Sequence, residues 1–180
     1  PLEPVDMPAL LAQLAGETQA AAPAGPRLVT EIEAGCGLLG SAHELQSMAA
    51  TLLSKAVKYT PETGTVTLRW SRDAAGAHLS VADTGIGIAA EHLPRLTERF
   101  YRVDRGRSRD SGGSGLGLSI VKHALQRHGG RLEITSVEGQ GATFTAHFPA
   151  RRLQQICNNP GLQYAPTPET GTGGEACTER

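Results

Sequence analysis

The chain has 180 residues, with 17 Lys+Arg against 18 Asp+Glu and a formal net charge of -1. That length supports one domain with a real core and is short for two. Balanced charge excludes the basic signature of a nucleic-acid binder, and no apolar run approaches the roughly 20 residues of a membrane span.

No signal-peptide pattern opens the sequence, so it reads as a soluble segment that makes no membrane contact. Cys36, Cys157 and Cys177 are an odd number at unrelated spacings and form neither a metal-binding pair nor a disulfide framework. His123 and His128 are five apart on an expected helix and share a face poorly, which argues against a zinc site. Aromatic content is only 4%, so Leu, Val, Ile and Ala must build most of the core. The 22 glycines are clustered, and the clusters carry the functional signal.

Residues 1–26 read as an N-terminal helix and linker. Leu10, Leu11 and Leu14 give the helix an apolar face, Asp6 and Pro8 suit its start, and AAAPAGP ends it. Arg27–Glu33 reads as a strand, followed by a Gly-rich turn to Gly40. From Ser41 to Tyr59 the pattern is helical. Ser41 and Glu44 form a capping box, and Leu45, Met48, Ala49, Leu52, Leu53 and Ala56 recur at helical spacing. At about 100° per residue, Thr51, Lys55 and Lys58 form a second, polar stripe that suits the wall of a cleft.

Thr65–Trp70 and His78–Asp83 alternate around a turn at Gly76 and predict a hairpin. Glu91–Phe100 predicts a short helix, and Tyr101–Ser114 a loop without apolar period. Leu116–His128 is helical, with Leu116, Ile120, Val121, Ala124 and Leu125 expected inward and Gly129-Gly130 as the stop. Arg131–Val137 and Ala142–Phe148 predict a closing hairpin. Residues 150–180, polar and rich in Pro and Gly, read as a disordered tail or vector-derived remnant. Helices and mostly antiparallel strands without a βαβ rhythm predict an α+β two-layer sandwich: a mixed, mostly antiparallel sheet with its helices on one face.

Two glycine clusters follow. Asp83-Thr84-Gly85-Ile86-Gly87-Ile88 leaves a strand, where glycines permit positive φ and close backbone approach. An aspartate there can accept a hydrogen bond from an exocyclic amine, although a tight turn with a capping Asp explains the same residues. Gly112-Gly113-Ser114-Gly115-Leu116-Gly117-Leu118 runs into a helix, whose free N–H groups and positive dipole end suit a phosphate. It is neither a dinucleotide fingerprint nor a P-loop. Arg99, Arg102, Arg105, Arg107 and Arg109 precede it, with guanidinium forks that match phosphate oxygens.

Taken together, Lys58-Tyr59, DTGIGI at 83–88, ERFYR at 98–102, GGSGLGLSIVK at 112–122 and EGQGATF at 138–144 resemble the ATP-binding catalytic domain of bacterial sensor histidine kinases. That group is a branch of the superfamily shared with gyrase and the heat-shock chaperone ATPase. VKYTPE, TERFYRVDRGRSRD and IVKHALQRHGG are similar to the phosphate-regulon sensor subgroup. The resemblance covers about residues 5–149, with 27–149 as the ATP-binding domain proper.

The resemblance implies that Asp83 recognises the adenine amino group, with Thr143 assisting through water. Gly85 and Gly87 let the chain pass the base, and Ile88 walls the pocket. Tyr59 lies along the nucleotide and Lys58 reaches the phosphates. Arg102 stabilises the transferring phosphoryl group. Gly113, Ser114, Gly115, Leu116 and Gly117 form the phosphate-facing part of a lid. The implied cofactors are ATP and Mg²⁺. The implied partners are a histidine-bearing dimerisation domain of the same kinase and a response-regulator receiver domain.

The sequence departs from the family pattern where N-L-L-S-N-A-V-K-Y-T is expected. Thr51 and Lys55 replace both asparagines, and the family's Mg²⁺ ligand belongs at position 55. Impaired phosphotransfer is therefore expected, with a non-catalytic nucleotide-binding or docking module as the alternative. Ser41-Ala42-His43-Glu44-Leu45 only superficially resembles the phosphoacceptor box, so the chain is expected not to phosphorylate itself.

Overall fold

The computed structural model describes residues 1–101 and 117–156. In chain order it contains β1 (Glu3–Val5), α1 (Met7–Ala21), β2 (Arg27–Ile32), β3 (Cys36–Gly40), α2 (Ala42–Lys58), β4 (Thr65–Asp73), β5 (Gly76–Asp83), a 3₁₀ turn (Ala90–Arg95), α3 (Gly117–Arg127), β6 (Arg131–Val137), β7 (Gly141–Pro149) and β8 (Leu153–Gln155). Five strands form the main sheet in the order β2-β4-β5-β7-β6. Only β2 and β4 run parallel; the other pairs in it are antiparallel. The expected α+β sandwich is what the chain forms.

The core lies between this sheet and the helices. Strict alternation in β4 and β7 turns Val66, Leu68, Trp70, Ala142, Phe144, Ala146 and Phe148 to one face. Leu79 and Val81 of β5 join them, and the apolar stripes of α1, α2 and α3 cover them in one cluster. The α2 stripe is the one that helical spacing predicts, Leu45 through Ala56. Trp70 is fully buried, meets Phe148 edge-on, and donates its indole N–H to the Cys36 carbonyl at 2.8 Å. That bond ties the main sheet to β3.

The Gly-rich segment before Gly40 is a strand, β3, and not the turn that its glycines suggest. β3 is the centre of a second, three-stranded sheet, β1-β3-β8, with Glu3 opposite Gly40 and Cys36 opposite Gln155. Residues assigned to a leading linker and to a tail thus pair here. α1 also buries Met7, Leu11, Leu14 and Ala15. Strands of three residues carry no readable alternation, and their partners are remote in sequence.

Glu91–Phe100 forms only the 3₁₀ turn, because Pro94 removes an interior donor and Phe100 takes φ +64. In α3 the inward residues are Leu118, Val121, Ala124 and Leu125, whereas Ile120 is half exposed. Leu116 falls outside the described residues.

Candidate functional site

Asp83 ends β5 on the core side of the sheet, in phase with Val81 and Leu79. Its Oδ1 accepts the backbone N–H of Gly85 at 2.9 Å and of Ala142 at 3.3 Å, which fixes the carboxylate. Both donors converge on one oxygen, and among the described residues none donates to Oδ2. Burial raises the Asp83 pKa above the ordinary carboxylate value, with the two N–H donors pulling the other way. A half-buried carboxylate with one oxygen held and the other available can accept a hydrogen bond from an amine.

The loop after Asp83 owes its path to close contacts that side chains would block. A Cβ on Gly85 would lie 2.2 Å from the Tyr59 carbonyl oxygen, which also accepts the Ile86 N–H at 3.3 Å. Gly87 takes φ +67, and a Cβ there would meet the Val137 carbonyl oxygen at 2.2 Å. Ile88, packed against the core, donates its N–H to Ser136 Oγ at 2.7 Å, and that hydroxyl donates to the Gly141 carbonyl at 2.9 Å. The loop is therefore clamped between the C-terminus of α2 and the β6–β7 hairpin.

The polar stripe of α2 faces the start of α3. A Cβ on Gly117 would lie 3.0 Å from Lys55 Cε, 3.1 Å from Thr51 Cγ2 and 3.8 Å from Lys55 Nζ. The Lys55 ammonium thus sits at the N-terminal end of α3, the positive end of its dipole. Thr51 is occupied locally, since its hydroxyl donates to the Ser47 carbonyl at 2.8 Å. Lys58 Nζ lies 5.6 Å above the ring of Tyr59, which is about half exposed at the cap of α2. Asp83, Gly85, Gly87, Ile88, Tyr59, Lys58, Lys55, Thr51 and Gly117 are thereby gathered along the C-terminal half of α2.

Thr143 is placed differently. Alternation along β7 turns Ala142 and Phe144 inward and Thr143 to the outer face, opposite Ala82. Help from its hydroxyl at Asp83 is contradicted by this placement, because a one-residue step along a strand reverses the face. Ala142 is the inward neighbour. Arg102, Gly113, Ser114, Gly115 and Leu116 lie outside the described residues.

The sequence gives no sign of Ser136, and His128 enters there only as a poor zinc candidate. A single serine in a strand carries no signal for Ser136. His128 is buried, donates Nδ1–H to the Ala124 carbonyl at 2.7 Å, and accepts the Ser41 N–H on Nε2 at 3.0 Å. The capping box is consequently half formed. Ser41 Oγ accepts the Glu44 N–H, but Glu44 pairs with Arg127 at 2.7 Å and leaves the Ser41 N–H to the histidine.

The position 55 chemistry bears on Mg²⁺. A protonated lysine has no lone pair to give a metal, and at about 4 Å its charge opposes a divalent ion by several kcal/mol at intermediate dielectric. The residues present do not fit the ion at that position.

Residues 40–152 match the family model described as histidine kinase-, DNA gyrase B-, and HSP90-like ATPase. The chain is 53% identical over 154 residues to the phosphate regulon sensor protein PhoR of Pseudomonas aeruginosa, covering 85% of this chain and 35% of that protein. It is 42% identical over 121 residues to the sensor-like histidine kinase SenX3 of Mycobacterium tuberculosis, covering 67% of this chain and 30% of that one. This chain therefore spans about a third of the length of these relatives.

Among solved structures, the mycobacterial sensor histidine kinase MprB superposes with a TM-score of 0.74 at 28% identity, covering 83% of this chain and 99% of that one. Full-length ShkA in complex with AMPPNP superposes at 0.70 and 32% identity, covering 84% of this chain and 32% of that one. The chain belongs to the histidine kinase-, DNA gyrase B- and HSP90-like ATPase family, as an ATP-binding catalytic domain of the histidine-kinase kind.

Proposed function

We propose that this domain binds ATP with Asp83 reading the adenine amino group, and that it serves a two-component sensor kinase of the phosphate-regulon kind. The observation that carries the reading is the Asp83 carboxylate, half-buried and fixed through one oxygen by two backbone N–H groups. Gly85, Gly87 and Ile88 shape the passage for the base, and Tyr59 and Lys58 lie along the nucleotide. Arg102 and the 113–117 segment act on the phosphates.

In the reaction, the bond from the γ-phosphorus to the β,γ-bridging oxygen breaks and one to a histidine ring nitrogen forms. The acceptor is a dimerisation domain of the same kinase, ADP leaves, and a receiver-domain aspartate then takes the phosphoryl group. Positioning and electrostatics supply the catalysis. The intact protein is anchored at the bacterial inner membrane, with this domain in the cytoplasm.

Thr51 and Lys55 impair that transfer. Lys55, beside Gly117 at the start of α3, supplies a fixed positive charge to the phosphates where the family uses a metal. Nucleotide binding then survives without Mg²⁺ dependence while turnover falls.

Calorimetric titration with a non-hydrolysable ATP analogue, with and without Mg²⁺, tests this. The chain as it stands should bind weakly and equally in both conditions. The Thr51→Asn, Lys55→Asn double variant should gain Mg²⁺-dependent affinity. Equal affinity in that double variant, with and without the metal, overturns the account of impairment.

A further inference from the structure

The outer face of the main sheet, away from the nucleotide site, carries a row of residues in register across four strands: Ser71, His78, His147 and Arg131. His78 and His147 meet through their Nδ1 atoms at 2.7 Å, with rings edge to face. At the far side of each ring a carboxylate stands close. Asp73 Oδ1 is 2.8 Å from His78 Nε2, and Glu133 Oε2 is 3.3 Å from His147 Nε2. Both Nε2 atoms are shielded from water, and the carboxylate contacts lie off the ideal hydrogen-bond direction.

We propose that His78 and His147 form a proton-binding site that holds one extra proton between two carboxylates and fastens β5 to β7 only over an intermediate pH range. The chain of contacts Asp73–His78–His147–Glu133 has three links, and each link takes one proton. Three protons on four ring nitrogens make one imidazolium and one imidazole. With only two protons, one carboxylate faces a bare nitrogen lone pair. With four, two N–H groups collide across 2.7 Å.

The other charges facing the pair fix which ring carries the excess. On β6, Arg131 stands opposite His147 and also pairs with Glu133 at 3.1 Å, so Glu133 is shared. Asp73, at the β4–β5 turn, stands against His78; Ser71, Ser80 and Thr145 are neutral neighbours on the same face, and Arg69, opposite Ser80, is paired there with Glu31 of β2. Burial, then Arg131 and His78, lowers the His147 pKa below the ordinary histidine value of 6.5. Charge is thus disfavoured on the His147 ring, and the contact with His78 is the first cause that lowers the Asp73 pKa.

The signs follow. His147, lowered when folded, favours the neutral ring, so stability is lost as pH falls below 6.5 through its folded value. Asp73 and Glu133, also lowered, contribute stability above their ordinary values of 3.8 and 4.5 and lose it as pH falls further. On the alkaline side, loss of the shared proton breaks one link. The pair titrates as a unit in two steps. β5 and β7 also carry Asp83 and Ala142, so the site fastens the strands that hold the base-reading carboxylate.

The test uses the full chain, with ring ¹⁵N chemical shifts of the histidines recorded from pH 4.5 to 9 and urea midpoints over the same range. Two separated steps shared by His78 and His147 are expected, with His147 neutral and protonated on Nε2 between them. The urea midpoint should pass through a maximum that His147→Gln abolishes. Asp73→Asn, whose amide oxygen can still accept the turn N–H groups of Ala75 and Gly76, should move the upper step down by about one pH unit. Two rings titrating independently at ordinary histidine values overturn the proposal, even if a variant fails to fold. So do parallel midpoint profiles for the native chain and His147→Gln.

Discussion

At its N-terminal end α2 is closed by groups that satisfy one another: Ser41 caps it, His128 takes the Ser41 N–H, and Glu44 pairs with Arg127 of α3. At its C-terminal end the same helix meets a glycine loop through its Tyr59 carbonyl, beside a desolvated carboxylate and the exposed Lys58. Both ends fasten α2 to the rest of the fold, yet they do so on opposite terms. The first end holds Ser41, Glu44 and His128 in internal bonds. The second keeps Asp83 in an environment that disfavours its charge, a state that a ligand donor relieves. Polar satisfaction distinguishes the structural end from the proposed binding end better than burial does.

Separate substitutions at the two ends should separate stability from binding. His128→Ala has the largest expected effect on the fold. It removes the acceptor of the part-buried Ser41 N–H and opens a cavity, and should lower unfolding free energy by about 2–4 kcal/mol, read from urea denaturation. Nucleotide affinity of the protein that remains folded should stay within about twofold. A large loss of affinity without loss of stability would erase the distinction between the ends.

Gly85→Ala comes next and should affect both properties. The new methyl meets the Tyr59 carbonyl, so the loop must shift, with a stability loss of about 1–3 kcal/mol. Nucleotide affinity should fall more steeply than stability, because the displaced loop carries the Asp83 anchor. An unchanged affinity would show that the loop path does not matter to binding.

Much of this arrangement is legible in the residues. The α2 stripe, both hairpins and the glycine loop follow from period and turn chemistry, which act over a few residues. Lys55 and Thr51 were visible as a stripe, and the structure sets Gly117 against them. Thr143 was not legible in the same way: its motif fixes the turn, but the face depends on strand register, and one step reverses it. Ile120 failed for a related reason, as α3 turns Leu118 inward in its place. β1, β3 and β8 pair across the length of the chain, which no local pattern encodes. The histidine pair likewise arises only when β5 and β7 are aligned, since His78 and His147 share no motif.

The central claim is that Asp83 reads a base amine, and its most direct test is calorimetry of ATP and GTP binding to the native chain and to Asp83→Asn. The asparagine can still accept the Gly85 and Ala142 N–H groups but presents no carboxylate. Because folding disfavours the Asp83 charge, thermal stability at neutral pH should stay level or rise. ATP affinity should fall about 10- to 100-fold, and the preference for ATP over GTP should collapse. An Asp83→Asn protein that binds ATP as tightly and as selectively as the native chain would contradict the account.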